Sequence, residues 1–406
     1  MILSNFNIKN GMLLDLGIEN YLSNFGVDDE HIEVDFEKKK QKAANEYLGD
    51  TLDIPEGVTS IKGPLIPIEG RGDSVYGFKL TPRDETGLVN PIKHINIPDG
   101  VESIGNNAFL SFSNATDVRI PESLRGIGVG AFANCRKLDS IDVQNVEVIG
   151  RNAFRGCARL SQVEGTPKNI GARAFMHCRR LENIDLSNSE FIGISAFEDC
   201  RSLKSPELSD NLKTIEDQAF ANCKGITSLT VPDSVKYVGS GALDGCTGLK
   251  SLTVGPNTYF DSGISGDTYG ALNSLTVNGV TFGPNNLRVL NPPDDVSGYE
   301  NFDINAVSKT ISAFKAMDAS RDYSGLKEFA PIPLELPDMV QERYDAMSPT
   351  YEVVRVMKQN GSPSAGMYAQ MYGSDMVPPG ASQNYSNQFE NEADDFGTDY
   401  FADFEC

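Results

Sequence analysis

The side chains of this chain best suited to chemistry are its cysteines: Cys135, Cys157, Cys178, Cys200, Cys223 and Cys246 recur 21 to 23 residues apart, and Cys406 is the last residue of the sequence. Thiols hold zinc, cycle as dithiols or act as nucleophiles. The tight C-x-x-C pairs that mark zinc sites and redox dithiols are absent from the sequence. A nucleophile needs a base, and the histidines are His31, His94 and His177. His177 precedes Cys178 in AFMHC, but adjacency in sequence is not a nucleophile–base geometry, and the other copies carry Asn, Gly or Asp there. GIGVGAF at 126–132 lacks the strand-to-helix spacing of a dinucleotide loop, and its glycines read as turn residues. Carboxylate pairs abound in so acidic a chain and single out no site. No enzyme, metal or cofactor is expected. A cysteine repeated once per structural unit reads as a small buried side chain. Neighbouring units could still bring two thiols into bonding range, so oxidation stays open.

The elements that position these thiols are repeats. Aligned on an Ala-Phe pair, the aromatic column is Phe109, Phe132, Phe154, Phe175, Phe197 and Phe220, with Leu243 in a seventh copy. Three residues on lies the cysteine column, occupied by Phe112 in the first copy. Three further lies Leu138, Leu160, Leu181, Leu203, Ile226 or Leu249, followed by an alternating run such as S-I-D-V or S-L-T-V, and V-x-x-I-G or a relative precedes each pair. The alternating run has the period of a strand with one buried face, and A-F-x-x-C-x-x-L has that of a short helical turn. A unit of about 22 residues cannot bury its own apolar face, whereas stacked copies share one core. The expected fold is a right-handed repeat solenoid, β-rich α/β, with a parallel sheet and a short helical turn per repeat.

The order IPDGVESIGNNAF, AFANCRKLDSIDV, LTVPDSVKYVGSGALDGCTGLKSLTV resembles the BspA-type leucine-rich repeat over about residues 92–277, with a degenerate earlier unit at LDIPEGVTSIKG. Leu243, Phe112 and the irregular stretch 64–91 depart from the pattern. The resemblance implies a leucine-rich-repeat solenoid with a parallel sheet on one side. It also implies a non-catalytic binding protein, several members of that family being microbial surface adhesins.

Stacking the strands predicts ladders of outward side chains at about 4.8 Å. One runs Asn96, Arg119, Asp142, Glu164, Asp185, Glu207, Thr230, Thr253, Thr276; beside it run His94, Asp117, Ser140, Gln162, Asn183, Ser205, Ser228, Ser251, Ser274. Four carboxylates on successive rungs repel by roughly 1 kcal/mol per pair in water. Two explanations stay open. The basic residues just upstream, Arg136, Lys137, Arg159, Arg179, Arg180, Arg201 and Lys224, balance them along the margin, or the rungs await a cationic partner. Either way the sheet face, with Arg119, Asp142, Glu164, Asp185, Glu207, Thr230 and Thr253, is the expected contact surface.

With 57 acidic against 35 basic residues, a formal charge of −22 argues against nucleic acid and for neutral or basic protein partners. The first residues lack a cationic signal region, and no run reaches membrane-spanning length, so no membrane and a cytoplasmic address are expected, a cell surface reached by another route being the alternative. Residues 1–50 read as an N-terminal cap, with Ile32, Val34 and Phe36 alternating before a polar helix EKKKQKAANEYL. The array extends over 51–290, with 64–91 as an irregular insertion. Residues 291–360 read as a helical segment in which Ile304, Val307, Ile311, Phe314 and Met317 share a face and Asp303 caps. Shorter helices are expected at 338–347 and 349–359. Residues 361–406 read as a flexible tail whose end places Phe389, Phe396, Tyr400, Phe401 and Phe404 among seven carboxylates, either as a docking motif or as an inert tail. The function expected is a protein-binding scaffold, or else a component of a larger assembly or a surface adhesin.

Overall fold

The computed structural model describes residues 7–9, 12–15, 49–62, 91–290 and 301–320. The segments expected as a strand at 32–36, helices at 338–347 and 349–359, and the acidic-aromatic tail lie outside the described residues. The rest is a β-solenoid in which each coil contributes two short parallel strands to two sheets.

The first strand of each coil is the alternating run, for example Ser140–Asp142, Gln162–Glu164, Ser228–Val231 and Ser251–Val254. Its register places Gln162 beside Ser140 and Glu164 beside Asp142, and Thr230 beside Thr253 beside Thr276. This sheet is segmented into groups of three, three and four strands. The second strand is the two-residue V-I or F-I step, such as Val148–Ile149, Phe191–Ile192 and Tyr237–Val238. Nine such steps and an N-terminal antiparallel pair form one continuous 11-stranded sheet. At its N-terminal edge the antiparallel pair Asn7–Lys9 and Met12–Asp15 joins it, Leu13 lying beside Ile61. Thr51 pairs with His94, 43 residues away rather than one repeat, so the coil that starts at 51 is contiguous with the array across the intervening stretch.

The turn between coils is a series of overlapping turns that alternate their donors. Gly130, Phe132 and Asn134 donate to carbonyls of the next coil at 2.7–2.8 Å, while Ala131, Ala133 and Cys135 donate three residues back within their own coil. Continuing this alternation needs left-handed backbone twice per turn. Gly130 (φ 63°) and Asn134 (φ 60°) supply it in one coil, Asn152 (57°) and Gly156 (74°) in the next. Glycine and asparagine tolerate that region best, which explains their frequency on either side of each Ala-Phe pair.

The core lies between the sheets and this turn. Phe109, Phe132, Phe154, Phe175, Phe197 and Phe220 are fully buried and stack ring on ring at 5.1–5.4 Å with interplanar angles of 3–14°. Phe112 fills the first place of the sulfur column and meets Phe109 edge-on at 5.5 Å. The column continues beyond the last cysteine. Thr268, 22 residues after Cys246, is buried and its hydroxyl donates to the Leu243 carbonyl at 2.7 Å. It lies in a short helix, α1 (Gly266–Ala271), that replaces the turn of that coil.

The far end closes with α2 (Pro284–Leu290) and α3 (Ile304–Ser320). Asp303 accepts from the Ala306 N–H at 3.0 Å, and Ile304, Val307 and Ile311 are buried. Asn305 grips the last strand of the 11-stranded sheet with its amide, donating to the Phe260 carbonyl (2.6 Å) and accepting from its N–H (2.9 Å). Edge groups that would otherwise recruit another strand are thereby paired.

Candidate functional site

The thiols come first, because their spacing raised the question of chemistry. All six periodic cysteines are buried and unbridged, and each donates its Sγ–H to the carbonyl of the phenylalanine one coil back at 3.1–3.3 Å, from Cys135 to Phe109 through Cys246 to Phe220. Burial pushes Cys135, Cys178, Cys200 and Cys223 well above the ordinary thiol range, and Cys246 up to about 12. A thiol so protonated is a poor nucleophile and ligand. Its hydrogen bond is a second one to a carbonyl that already accepts the N–H three residues on within its own turn, a role the Thr268 hydroxyl takes in the next coil. Among the described residues no group of three or more His, Cys, Asp or Glu could hold a metal ion.

The face of the segmented sheet is the second candidate. Arg119, Asp142, Glu164, Asp185, Glu207 and Thr230 are exposed, and Thr253 is half-buried. Strand register aligns Asp142, Glu164 and Asp185 and, in a separate segment, Thr230 and Thr253, while Asp185 joins Glu207 through the bridge of Leu186 to Leu208. A shallow depression of about 440 Å³ lies on this row, with Glu164, Asp185 and Glu207 on its floor and Glu182 and Lys204 at its margin. At the C-terminal end the row is closed by the hairpin strand Val280–Phe282, where Thr276 and Thr281 hydroxyls meet at 2.9 Å.

The acidic rungs find their partners inside the sheet. Asp142 accepts from the Gln144 N–H and Asp185 from the Ser187 N–H, both at 2.9 Å, and Glu164 accepts from the Gln162 amide at 3.2 Å. Ion pairs among the described residues fall elsewhere. Arg179 and Arg201 close on Asp199 from both sides, at 2.8 and 2.5 Å, with His177 at 3.2 Å. The Asp199 side chain is only 8% exposed. Burial works to raise its carboxyl, and the hydrogen bonds and charges of Arg179 and Arg201 outweigh that and hold it below the ordinary value. Lys204 pairs with Glu182 at 2.7 Å and by that hydrogen bond holds the Glu182 carboxyl low. Lys137 donates to Asn114. Of the basic residues upstream of the strands, Lys137, Arg179 and Arg201 thus serve the coil turns and margin, and among the described residues none of the seven pairs with Asp142, Glu164, Asp185 or Glu207.

His94 and Asp117, on adjacent rungs of the neighbouring row, meet at 2.5 Å. His177 lies in a coil turn and pairs with Asp199, so neither described histidine, His94 or His177, is hydrogen-bonded to a thiol; His31 lies outside the described residues. Residues Phe389, Phe396, Tyr400, Phe401 and Phe404 lie outside the described residues. What the sequence reading missed is the outward face of the 11-stranded sheet, where Val148, Phe191 and Tyr259 are 46%, 38% and 50% exposed. The signal was present in the third residue of each V-x-x-I-G step, such as Val148 in VEVIG, but two-residue strands are too short for alternation to announce them.

Residues 89–169 and 168–278 match the BspA type leucine rich repeat region in six copies. No curated protein matches the chain. Similar solved structures include a leucine-rich repeat protein from Bacteroides ovatus, 22% identical with a TM-score of 0.34, covering 57% of this chain and 63% of that one. Another from Eubacterium ventriosum is 27% identical with a TM-score of 0.37, covering 43% and 47%. A leucine-rich repeat protein of T. pallidum is 19% identical with a TM-score of 0.35, covering 60% and 86%. The chain spans less than two thirds of the length of the first two. Residues 89–278 are thus repeats of the BspA-type leucine-rich-repeat kind.

Proposed function

We propose that the protein is a non-catalytic protein-binding scaffold whose contact surface is the acidic row Arg119–Thr253 on the segmented sheet. The observation that supports this is the row itself. Asp142, Glu164, Asp185 and Glu207 are exposed on successive rungs, and no cation among the described residues pairs with them. Internal N–H and amide donors order three of these carboxylates while leaving their charge uncompensated. A partner bearing Lys or Arg would relieve the rung-to-rung repulsion, and its encounter would be steered by the field of a chain with net charge −22. The acidic-aromatic tail serves as a second docking element in this reading. Catalysis has no place in it, since the six periodic thiols are buried and each is hydrogen-bonded to a carbonyl one coil back. A cytoplasmic address belongs to the same reading; among the described residues no helix is long and apolar enough to cross a membrane.

The test is affinity capture from a lysate with three baits: the full chain, the quadruple variant Asp142→Asn, Glu164→Gln, Asp185→Asn, Glu207→Gln, and a chain ending at 385. The expected result is a partner retained by the full chain in a salt-sensitive manner, lost with the quadruple variant and weakened by truncation. Equal capture by the quadruple variant would overturn the acidic row, and equal capture by the truncated chain would overturn the tail. Surface proteolysis of intact cells that cleaves the protein would favour the adhesin reading.

A further inference from the structure

The 11-stranded sheet turns one side chain outward on each rung. Its registered row runs Val148, Asn169, Phe191, Thr214, Tyr237, Tyr259. Apolar or aromatic residues therefore occupy every second rung from Val148 to Tyr237, and a further ring follows at Tyr259, stacked on Tyr237 at 6.4 Å. Ile194, 44% exposed, lies beside the row. This face is independent of the acidic row, which belongs to the other sheet.

Two rungs of a sheet span about 9.6 Å. A polyproline II chain rises about 3.1 Å per residue with three residues per turn, so one of its faces repeats every 9.3 Å or so. An extended β-strand repeats on one face at about 6.7 Å, out of step with the rungs. The intervening Asn169 and Thr214 are hydrogen-bonding side chains, and a polyproline II backbone has unpaired carbonyls to accept from them; a helix, whose carbonyls are internally bonded, has none to offer. Charge narrows the occupant further. Burial, with the carboxylates of Asp261, Asp217 and Glu216 nearby, pushes the Tyr237 hydroxyl up to about 12. Of the lysines that precede row residues, Lys168 pairs with Glu147 at 3.7 Å and Lys236 is tied to the Asp233 carbonyl at 2.8 Å. A second copy of this face would bring its own carboxylates against these, and the tail from Phe389 has seven carboxylates and no base.

We infer that the outward row Val148–Phe191–Tyr237–Tyr259 is a second docking surface for a proline-rich partner segment in the polyproline II conformation, with Lys or Arg at the end that lies over the tyrosines. Aromatic faces supply rigid contact area to such ligands, and the carboxylates receive the basic end.

The test is fluorescence anisotropy with the full chain and a labelled peptide carrying proline at every third position and two arginines at one end. Binding should weaken at least tenfold when the same residues are rearranged to break the proline spacing. It should weaken similarly for Tyr237→Ser/Tyr259→Ser with the melting temperature preserved. If that variant fails to fold, Asp217→Asn/Asp261→Asn serves in its place, with an expected loss of several-fold; the Asp217→Asn change removes the charge but keeps an oxygen acceptor for the Ser240 N–H, which Asp217 now receives at 2.8 Å. Equal affinity for the rearranged peptide, or an unchanged affinity in whichever variant folds, overturns the inference. The chain has a proline-bearing stretch of its own, PIPLELP at 331–337, and a full chain that binds only after Pro331→Ser, Pro333→Ser and Pro337→Ser also overturns the inference, because the face would then belong to that stretch.

Discussion

The two sheets of this solenoid are built from the same coils and differ in what they leave outside. Apart from the shorter Asn183–Ile184, the segmented sheet uses strands of three or four residues, typically turning two side chains outward, and those are acidic in the middle of the array and hydroxyl-bearing toward its end. The 11-stranded sheet uses two-residue strands that turn out one side chain, and on alternate rungs of its middle that side chain is apolar. Strand length thus sets how wide a chemical stripe each face can carry. The wide face suits a charged, ordered row, whereas the narrow one suits a single line of anchors. Both depend on one stack of phenylalanine rings and sulfur atoms that holds consecutive coils at constant spacing.

The comparison would break most severely if that stack were opened. Phe154→Ala or Phe175→Ala removes a fully buried ring with neighbours on both sides and should cost about 3–5 kcal/mol, read as a lowered melting temperature. Because the stack serves both sheets, losses of signal from the two faces should coincide. Next in size is Gly150→Ala, which belongs to the 11-stranded side alone. An added Cβ would meet the Gly128 carbonyl carbon at 2.7 Å and the Ile127 oxygen at 2.8 Å in the preceding coil, so the coils must separate locally. A cost of about 1–3 kcal/mol is expected from chemical denaturation.

On the turn side, Asp199→Asn removes a carboxylate whose folded value is depressed by Arg179 and Arg201. Stability from such a group is present above the unfolded carboxylate value, about 3.9, and is lost as pH falls through the depressed folded value. The variant should therefore melt below the parent at pH 7, and the two melting curves should converge under strong acid. The smallest effect is expected on the wide face itself. Asp185→Ser keeps an acceptor for the Ser187 N–H and should stay within about 0.5 kcal/mol of the parent. A loss comparable to that of Phe154→Ala would show that the acidic row holds the fold rather than facing outward.

How much could be read beforehand varied with local pattern length. Runs such as SLTV alternate over four positions, enough for each outward residue to be assigned, and the coil length then places Thr230 beside Thr253 and Thr276. The two-residue steps carry no period of their own, so Phe191 and Tyr259 showed as members of a motif and not of a face. The hairpin at Asn278-Gly279, with φ of 48° and 73°, had its usual signal in the Asn-Gly pair, but it lies where the repeat fades. Thr268 escaped notice because a hydroxyl replaces the thiol and α1 replaces the turn around it.

By itself, the sequence determined that the chain stacks. A repeat of about 22 residues, with phenylalanine and cysteine in constant columns, buries its apolar side only against copies of itself. Tertiary structure alone decided where the remaining side chains meet. Asp199 draws Arg179 from the preceding coil toward the Arg201 of its own, Asn305 reaches the edge at Phe260 from 45 residues away, and Tyr237 meets Tyr259 across a rung. Those encounters depend on how each coil sits on the next, because charge and exposure act through space, and residues far apart along the chain become nearest neighbours only once the coils are stacked.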